Sequence, residues 1–313
     1  IPSDRTVDAV FVGAACHLAE RHFEQAEAAF DVALSLLDSA TRALHDDVSL
    51  VASPAEIETM ERLREEAVSD EEIRRRFWLR RDATPATPIN ERFLEHHRRV
   101  WYSGHRFSAG RKPWDDRGEV YIRFGVPLHL RPGARRSMRP ERSAAGTSYG
   151  HGIQLTTRVE NWRYPHIGDG GLVLTFDDGY DSGDYRYTIP PATNLLTFMR
   201  RNTLWIDAPV AQMQNTVEHT PDRYEYGRSV SPLRFAYYPA RFRAELPDAR
   251  ADSADVALCY GLPLSEVAFR PNEGREGYEA RVERGYAAFD DQWRLISRSY
   301  DHVVLESASD TSW

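Results

Sequence analysis

The sequence contains little cysteine, lysine or methionine, and it has no long apolar run. Its 313 residues include 2 cysteines and 4 methionines, and Lys112 is the only lysine. Cys16 and Cys259 lie in segments of different character, so we exclude a disulfide framework and predict that both are small core residues. No apolar run reaches the roughly 18 residues that a membrane-spanning helix needs. We therefore predict no transmembrane segment in this chain.

The length and composition allow more than one packed core. The chain is about twice the usual length of a domain. Its hydrophobic content is 41%, and 28% of the residues are charged. These values are typical of folded units with a charged surface, and they predict two or three such units.

The charge is unevenly distributed along the chain. Residues 1–72 carry 5 basic and 17 acidic side chains, whereas residues 73–150 carry 18 basic and 7 acidic ones. The remaining residues are again acidic, and the net charge is -8. This asymmetry favours internal docking of the acidic N-terminal part on the basic middle, with an anionic partner for the middle as the alternative.

The N-terminal segment has the apolar spacing of amphipathic helices. Apolar side chains recur at three- and four-residue spacing over residues 6–47, which predicts a helical hairpin. The stretch that begins at Phe23 and includes Phe30 resembles the second helix of a tetratricopeptide repeat. A single repeat needs a neighbour to cover its apolar face. We therefore treat Phe23 and Phe30 as candidate contact residues.

Capping signals divide the next part of the chain into helices. Ser53, Ser69 or Asp70, and Asn90 can each accept backbone N–H groups at the start of a helix. From Glu119 the apolar pattern has a period of two, which predicts a strand over residues 119–124 and further strands at 159–164, 172–176 and 185–189.

The last 80 residues alternate as strands throughout, which is typical of a β-sandwich-like module. We therefore predict an α+β protein made of an N-terminal helical hairpin, a central mixed α+β domain and a C-terminal β-sandwich-like module. The predicted domains are residues 1–52, 53–231 and 232–313.

A set of short motifs in the middle of the chain resembles the GWxTD-domain family, over about residues 50–190. The matching segments are Phe77-Trp78, Arg81-Asp82-Ala83-Thr84-Pro85, Thr87-Pro88, Asn90-Glu91, Glu95-His96, Arg99, Trp114-Asp115-Asp116-Arg117-Gly118-Glu119-Val120-Tyr121-Ile122-Arg123, Gly125-Val126-Pro127, Glu160-Asn161-Trp162-Arg163-Tyr164 and Phe176-Asp177. Two segments depart from the family pattern, because Pro113-Trp114-Asp115-Asp116 lacks the family's Thr and Ala83 replaces a Pro. The resemblance implies a fold and an extracytoplasmic location at the membrane, but no activity.

The signature has a structural interpretation and a catalytic one. In the structural interpretation, Trp114, Asp116, Arg117 and Gly118 form a tight turn in which Asp accepts backbone N–H groups, Arg pairs with a carboxylate and Gly adopts a positive φ. The tryptophans of this interpretation form one aromatic core: Trp78, Trp101, Trp114 and Trp162. The structural signature also includes Arg81 and Asp82.

In the catalytic interpretation, five side chains line a cleft and act as acid, base and anion clamp: Glu91, Glu95, His96, Asp116 and Arg117. Such an arrangement would suit an envelope hydrolase acting on a glycan or a peptide. Adjacent His96 and His97 point in different directions on a helix, and there is no His-Glu-x-x-His run. We predict no metal and no cofactor.

An Arg-rich stretch, predicted as a loop over residues 129–152, is the candidate binding segment. Its arginines are Arg131, Arg135, Arg136, Arg139 and Arg142. They suit an acidic protein surface, phosphate or anionic lipid headgroups. Nucleic acid is disfavoured because aromatic side chains for base stacking are scarce in this stretch.

The function predicted from the sequence is that of a non-catalytic structural or adaptor subunit, which binds other proteins in a larger assembly. The single repeat and the charge asymmetry each leave surface that a partner would cover. The C-terminal module is expected to have only four or five strands, so its sheet would also keep an open edge. We expect the protein to be periplasmic or otherwise extracytoplasmic and peripheral to a membrane, although a cytoplasmic location stays open.

Overall fold

A computed structural model describes residues 4–139, 153–165, 167, 171–179, 181–188, 207–222, 235–238, 257–260, 267–272 and 277–307. The chain divides into two compact units, residues 1–224 and 225–313. The structure is of mixed α and β type, as predicted. The finer division into three domains stays a prediction.

The N-terminal helices are α1 (Asp4–Ala19), α2 (Phe23–Ser35) and α3 (Ser39–Asp46), followed by a 3₁₀ turn at Val48–Leu50. The Asp38 carboxylate caps α3 by accepting the N–H groups of Ala40 and Thr41. Cys16, predicted to be a core residue, is instead exposed, because it lies on the outer side of α1.

The predicted helix caps of the next part are confirmed. Helix α4 (Pro54–Glu65) begins with a capping box between Ser53 and Glu56. Ser69 caps α5 (Asp70–Leu79), and Asn90 caps α6 (Glu91–Arg106).

The predicted strand at residues 119–124 is wrong, because this segment lies in helix α7 (Asp116–Phe124). The Asp115 carboxylate caps its first turn by accepting the N–H of Arg117 at 3.0 Å. Nearly every residue of α7 is buried. A helix that is buried on all sides has no polar stripe, so its sequence does not reveal the helical period.

Four strands follow α7 in chain order: β1 (Leu128–Arg139), β2 (Ile153–Tyr164), β3 (Leu172–Asp178) and β4 (Arg186–Tyr187). Among the described residues they form an antiparallel sheet in the order β1-β2-β3-β4. The prediction of a loop over residues 129–152 is therefore wrong for its first part. Residues 128–139 pair with β2, and residues 140–152 lie outside the described part.

Helix α8 (Asp207–His219), which the sequence analysis did not predict, completes the described part of the first unit. The described residues of this unit form two apolar clusters. One cluster contains side chains of α4, α5, α6, α7, α8 and the sheet. The other joins α1 and α2 to Ile89, Leu94 and Trp101. The N-terminal helices therefore cover their apolar side with the start and middle of α6, within their own chain.

The second unit contains β strands: β5 (Phe235–Tyr238), β6 (Ala257–Tyr260), β7 (Arg270–Pro271), β8 (Tyr278–Phe289) and β9 (Leu295–Ser307). In the described residues β5 pairs with β6, and β7, β8 and β9 form a second antiparallel sheet. Between β8 and β9 the Asp290 carboxylate accepts the N–H groups of Gln292 and Arg294, and these bonds form the hairpin turn.

Candidate functional site

The centre of the signature is a buried ion-pair network between α7 and β2. The Arg117 guanidinium donates to Asp115 at 2.7 Å and to Glu160 at 2.7 Å. It also lies over the Tyr185 ring, 3.6 Å from its centroid. Burial raises the pKa of Asp115, and the Arg117 contact opposes this shift. The pairing of Arg117 with a carboxylate, predicted from the sequence, is confirmed.

Asp116 attaches α7 to β4, an edge strand of the described sheet. Its carboxylate accepts the N–H of Tyr187 in β4 at 2.9 Å and a hydrogen bond from Arg111 at 2.6 Å. Asp115 likewise accepts the N–H of Tyr185 at 3.1 Å. The two adjacent carboxylates therefore hold the β4 backbone against the start of α7.

Gly118 does not have the positive φ that the tight-turn interpretation predicts, because it lies inside α7. What it requires is space. A Cβ atom at this position would lie 2.5 Å from Trp114 Cβ and Cγ. The positive φ is found instead at Gly125, which ends α7 with a φ of 75°. The Arg99 guanidinium packs against Gly125 and donates to the carbonyls of Ile122 and Arg123.

The carboxylate of Glu95 is fully engaged by two arginines on its own helix. It accepts hydrogen bonds from Arg98 at 2.6 and 2.7 Å and from Arg99 at 2.7 Å. Although burial opposes ionisation, these hydrogen bonds and charges lower the pKa of Glu95 to about 2. Glu95 and Arg99 form an ion pair across one helical turn. A carboxylate of this kind is a poor general acid at neutral pH.

Glu91 lies in a different environment. It is buried at the start of α6, where the Thr84 hydroxyl donates to its carboxylate at 2.6 to 2.7 Å. Burial raises the pKa of Glu91, while the Thr84 hydrogen bond opposes the shift. Asp82 accepts the N–H of Thr84 at 3.0 Å. These contacts hold the segment that joins α5 to α6.

His96 is completely buried and belongs to a group of histidines. Its Nε2 donates to the His45 carbonyl at 3.2 Å, and its ring packs against Trp78 with a centroid distance of 4.8 Å. The His97 ring lies 5.5 Å from that of His45. Burial, followed by neighbouring positive charge, lowers the pKa of all three histidines. They are neutral core residues at pH 7.

The five residues of the catalytic interpretation therefore lie in separate buried networks. Asp116 and Arg117 share the first turn of α7. Glu91 bonds to Thr84, Glu95 to its two arginines, and His96 to His45. The structure does not bring them together around one solvent-accessible cleft.

A second charged network, which was not predicted from the sequence, surrounds Asp222. Asp222, which follows α8, accepts hydrogen bonds from Arg81 at 2.7 Å and from Arg92 at 2.8 Å. Arg81 also donates to Glu56 at 2.8 Å. Arg123 donates to the carbonyls of Val51 and Ala52. Arg81 was predicted as a signature residue and Ser53 as a helix cap, but no local pattern linked either of them to Asp222.

The predicted aromatic core is confirmed in part. Trp78, Trp114 and Trp162 are buried in one cluster. Trp101 packs instead against the other cluster, with α1 and α2, so the prediction is wrong for Trp101. The indole N–H of Trp162 donates to Glu160 at 3.2 Å. The Arg117 network and the aromatic core therefore share Glu160.

The candidate contact residues occupy several environments. Phe30 is buried against Phe11 and His97, so it is a core residue of the first unit. Phe23 is partly buried against the same cluster. The backbones of four arginines lie in β1, not in a loop: Arg131, Arg135, Arg136 and Arg139. Arg142 lies outside the described residues.

The charge prediction has some support inside the first unit. The Asp8 carboxylate lies 2.8 Å from His105 Nε2, and Glu56 pairs with Arg81. These pairs connect the acidic N-terminal part with the basic middle, alongside the apolar contact of α1 and α2 with α6.

Comparisons of the chain with protein families, curated proteins and solved structures found no match. Of the helices in the described residues, none is long and apolar enough to span a bilayer.

Proposed function

We propose that this protein is a non-catalytic structural or adaptor subunit of a larger assembly, and that it acts by binding other proteins. The observation that carries this proposal is the engagement of the signature charges within the fold. Arg117 donates hydrogen bonds to Asp115 and Glu160, and Asp116 accepts the backbone N–H of Tyr187 in β4. A signature used in this way shapes a scaffold.

The contact surface belongs, in this proposal, to the sheet of the second unit. Tyr300 and Val304 lie four residues apart in β9 and therefore on one face of the sheet. Ile296 lies four residues before Tyr300, at the bulge where the register between β8 and β9 shifts. The exposed fractions of Ile296, Tyr300 and Val304 are 69%, 38% and 51%. Among the described residues β9 is also an edge strand, and an edge strand offers unpaired backbone groups to another chain. We call these three residues the β9 row.

The proposal extends to architecture and location. It includes an N-terminal helical hairpin of degenerate tetratricopeptide type, a C-terminal β-sandwich-like module and membership of the GWxTD-domain family. It also includes a peripheral, membrane-associated position on the extracytoplasmic side, which the family resemblance implies. The hydrolase alternative has less support, because its five residues lie in separate networks.

Affinity capture of the tagged full chain from native membranes, followed by native mass spectrometry, tests the proposal. We expect a complex with another subunit at fixed stoichiometry. The variant Ile296→Lys/Val304→Lys should lose this subunit, because two charges in the β9 row would have to be buried without partners.

Val32→Lys is the matched control, since Val32 is an exposed valine of α2. It should keep the subunit. A monomer without companions would contradict the proposed function, and equal retention by all variants would contradict the role of the β9 row.

A further inference from the structure

Two histidines and a glutamate meet at the turn between α1 and α2. The ligand atoms of His17, Glu20 and His22 all lie within 4.8 Å of one another. His22 Nδ1 is 3.3 Å from Glu20 Oε2. We predicted no metal from the sequence, because this spacing matches neither adjacent histidines nor the His-Glu-x-x-His pattern.

The backbone of the turn holds the three residues in place. The N–H of His22 donates to the His17 carbonyl at 2.9 Å, and the N–H of Arg21 donates to the Leu18 carbonyl at 3.1 Å. This pair of bonds is the Schellman motif, with Arg21 in the left-handed conformation at a φ of 63°. The ligand residues therefore occupy fixed positions at the end of α1.

The side chains of His17 and His22 make few other hydrogen bonds among the described residues. His22 is the N-cap residue of α2, but its side chain makes no capping hydrogen bond. His17 Nδ1 is buried and has no hydrogen-bond partner among the described residues. A buried nitrogen without a partner costs free energy. His17 can therefore bind a metal without giving up a hydrogen bond at Nδ1.

The donor set and its spacing match a transition metal. Imidazole nitrogen and carboxylate oxygen are ligands that zinc accepts, and three protein ligands with one open position are typical of a reactive zinc site. Two ligands about 2.0 Å from zinc at a tetrahedral angle are separated by about 3.3 Å. The distance between His22 Nδ1 and Glu20 Oε2 is 3.3 Å.

We propose that His17, Glu20 and His22 bind a zinc-like divalent transition-metal ion. The ion bridges the end of α1 and the start of α2, and it leaves one coordination position for water or an outside ligand. Glu20 and His22 are exposed at 64% and 57% of their side-chain surface, so this position faces solvent. The inference is independent of the proposed adaptor function.

Titration of the full chain with Zn²⁺ alone tests the site, by calorimetry and by the unfolding temperature. We expect wild-type protein to bind Zn²⁺ at this turn and to unfold at a higher temperature when Zn²⁺ is present, because an ion that binds only the folded state stabilises it. Co²⁺ in place of Zn²⁺ should produce visible absorption bands of a site with nitrogen and oxygen ligands.

The variant His17→Ala/His22→Ala should bind Zn²⁺ at least about tenfold more weakly, which is the loss typical of even an outer-shell change. Glu20→Gln keeps the side-chain shape and should also weaken binding. His219→Ala, at an exposed histidine of α8, should bind Zn²⁺ like wild type.

Two results would overturn the site. One is that addition of Zn²⁺ to wild-type protein gives no heat of binding and does not change the unfolding temperature. Glu20 and His22 would then form only an ion pair. The other is unchanged affinity in the double variant. If the double variant fails to fold, Glu20→Gln carries the test alone, because its exposed position is compatible with folding.

Discussion

Gly118 has its place in α7 because a larger side chain there would collide with Trp114. Its hypothetical Cβ would lie within 2.7 Å of three Trp114 side-chain atoms, one of which is the Cβ atom bonded to the backbone. Trp114 is buried, so it has little room to move. Trp114 and Gly118 are therefore a steric pair.

We predict that Gly118→Ala lowers the free energy of unfolding by about 1–3 kcal/mol, the usual cost of overpacking a core. Gly104→Ala is the control, because Gly104 also lies in a helix but a Cβ there meets no atom within 4 Å. It should be neutral or stabilising by up to about 1 kcal/mol. Urea denaturation of both variants decides, and equal stabilities would refute the steric pair.

Asp222 connects elements that are distant in the sequence. It follows α8 and pairs with Arg81 after α5 and with Arg92 in α6. Arg92 is 1% exposed. Burial lowers the pKa of Arg92 to about 10, while Asp222 opposes this shift. The position of α8 against the helices therefore depends on a carboxylate that balances two guanidinium groups.

Asp222→Asn should destabilise the first unit by about 3–5 kcal/mol, because it leaves buried positive charge without its partner. Asp46→Asn is the matched comparison, since Asp46 forms an exposed pair with Arg42. Its cost should stay within about 1 kcal/mol. Thermal unfolding of the two variants measures the difference, and a small effect for both would show that Asp222 is dispensable.

The sequence of helix α7 explains why a strand was predicted over residues 119–124. Val120, Ile122 and Phe124 alternate with other residues as in a strand, and Val and Ile favour strands. However, Asp115 caps the segment and the neighbouring elements surround it. The tertiary environment therefore decided between two periods that the local sequence left ambiguous.

Three buried histidines are neutral in the folded chain. Burial is the main cause that lowers the pKa of His45 to about 3, and the Arg42 charge lowers this pKa further. Burial also lowers the pKa of His96 and His97 well below their ordinary 6.5. His97 has no hydrogen-bond partner for either ring nitrogen within the described part of the chain. The unfolded chain binds protons at these residues more readily than the folded chain does.

Stability should therefore fall as the pH drops below about 6.5, and for His45 the loss continues down to about pH 3. Each histidine contributes a slope of up to about 1.4 kcal/mol per pH unit in this window. The carboxylates with a lowered pKa, such as Glu95, lose their contribution only at lower pH. Between pH 5 and 6.5 the three histidines lower stability as the pH falls, whereas Glu91 and Asp115, whose pKa burial raises, act in the opposite direction.

His97→Phe should reduce this slope by up to about 1.4 kcal/mol per pH unit, because the phenyl ring cannot bind a proton. His219→Phe, at an exposed position, should leave the slope unchanged. Denaturation at pH 7.5, 6.0 and 5.0 measures all three proteins. A slope in the His97 variant equal to that of wild type would contradict a neutral buried His97.

Local sequence determined the helices with capping residues and the hairpin turn at Asp290, because caps and turns depend on neighbours in the chain. It also determined the Glu95–Arg99 pair, since four residues make one helical turn. Only the tertiary structure decided that α7 is a helix and that Asp222 joins Arg81 and Arg92. It also decided that the signature acids hold β4. These features rest on contacts between distant segments, and burial sets both their geometry and their charge.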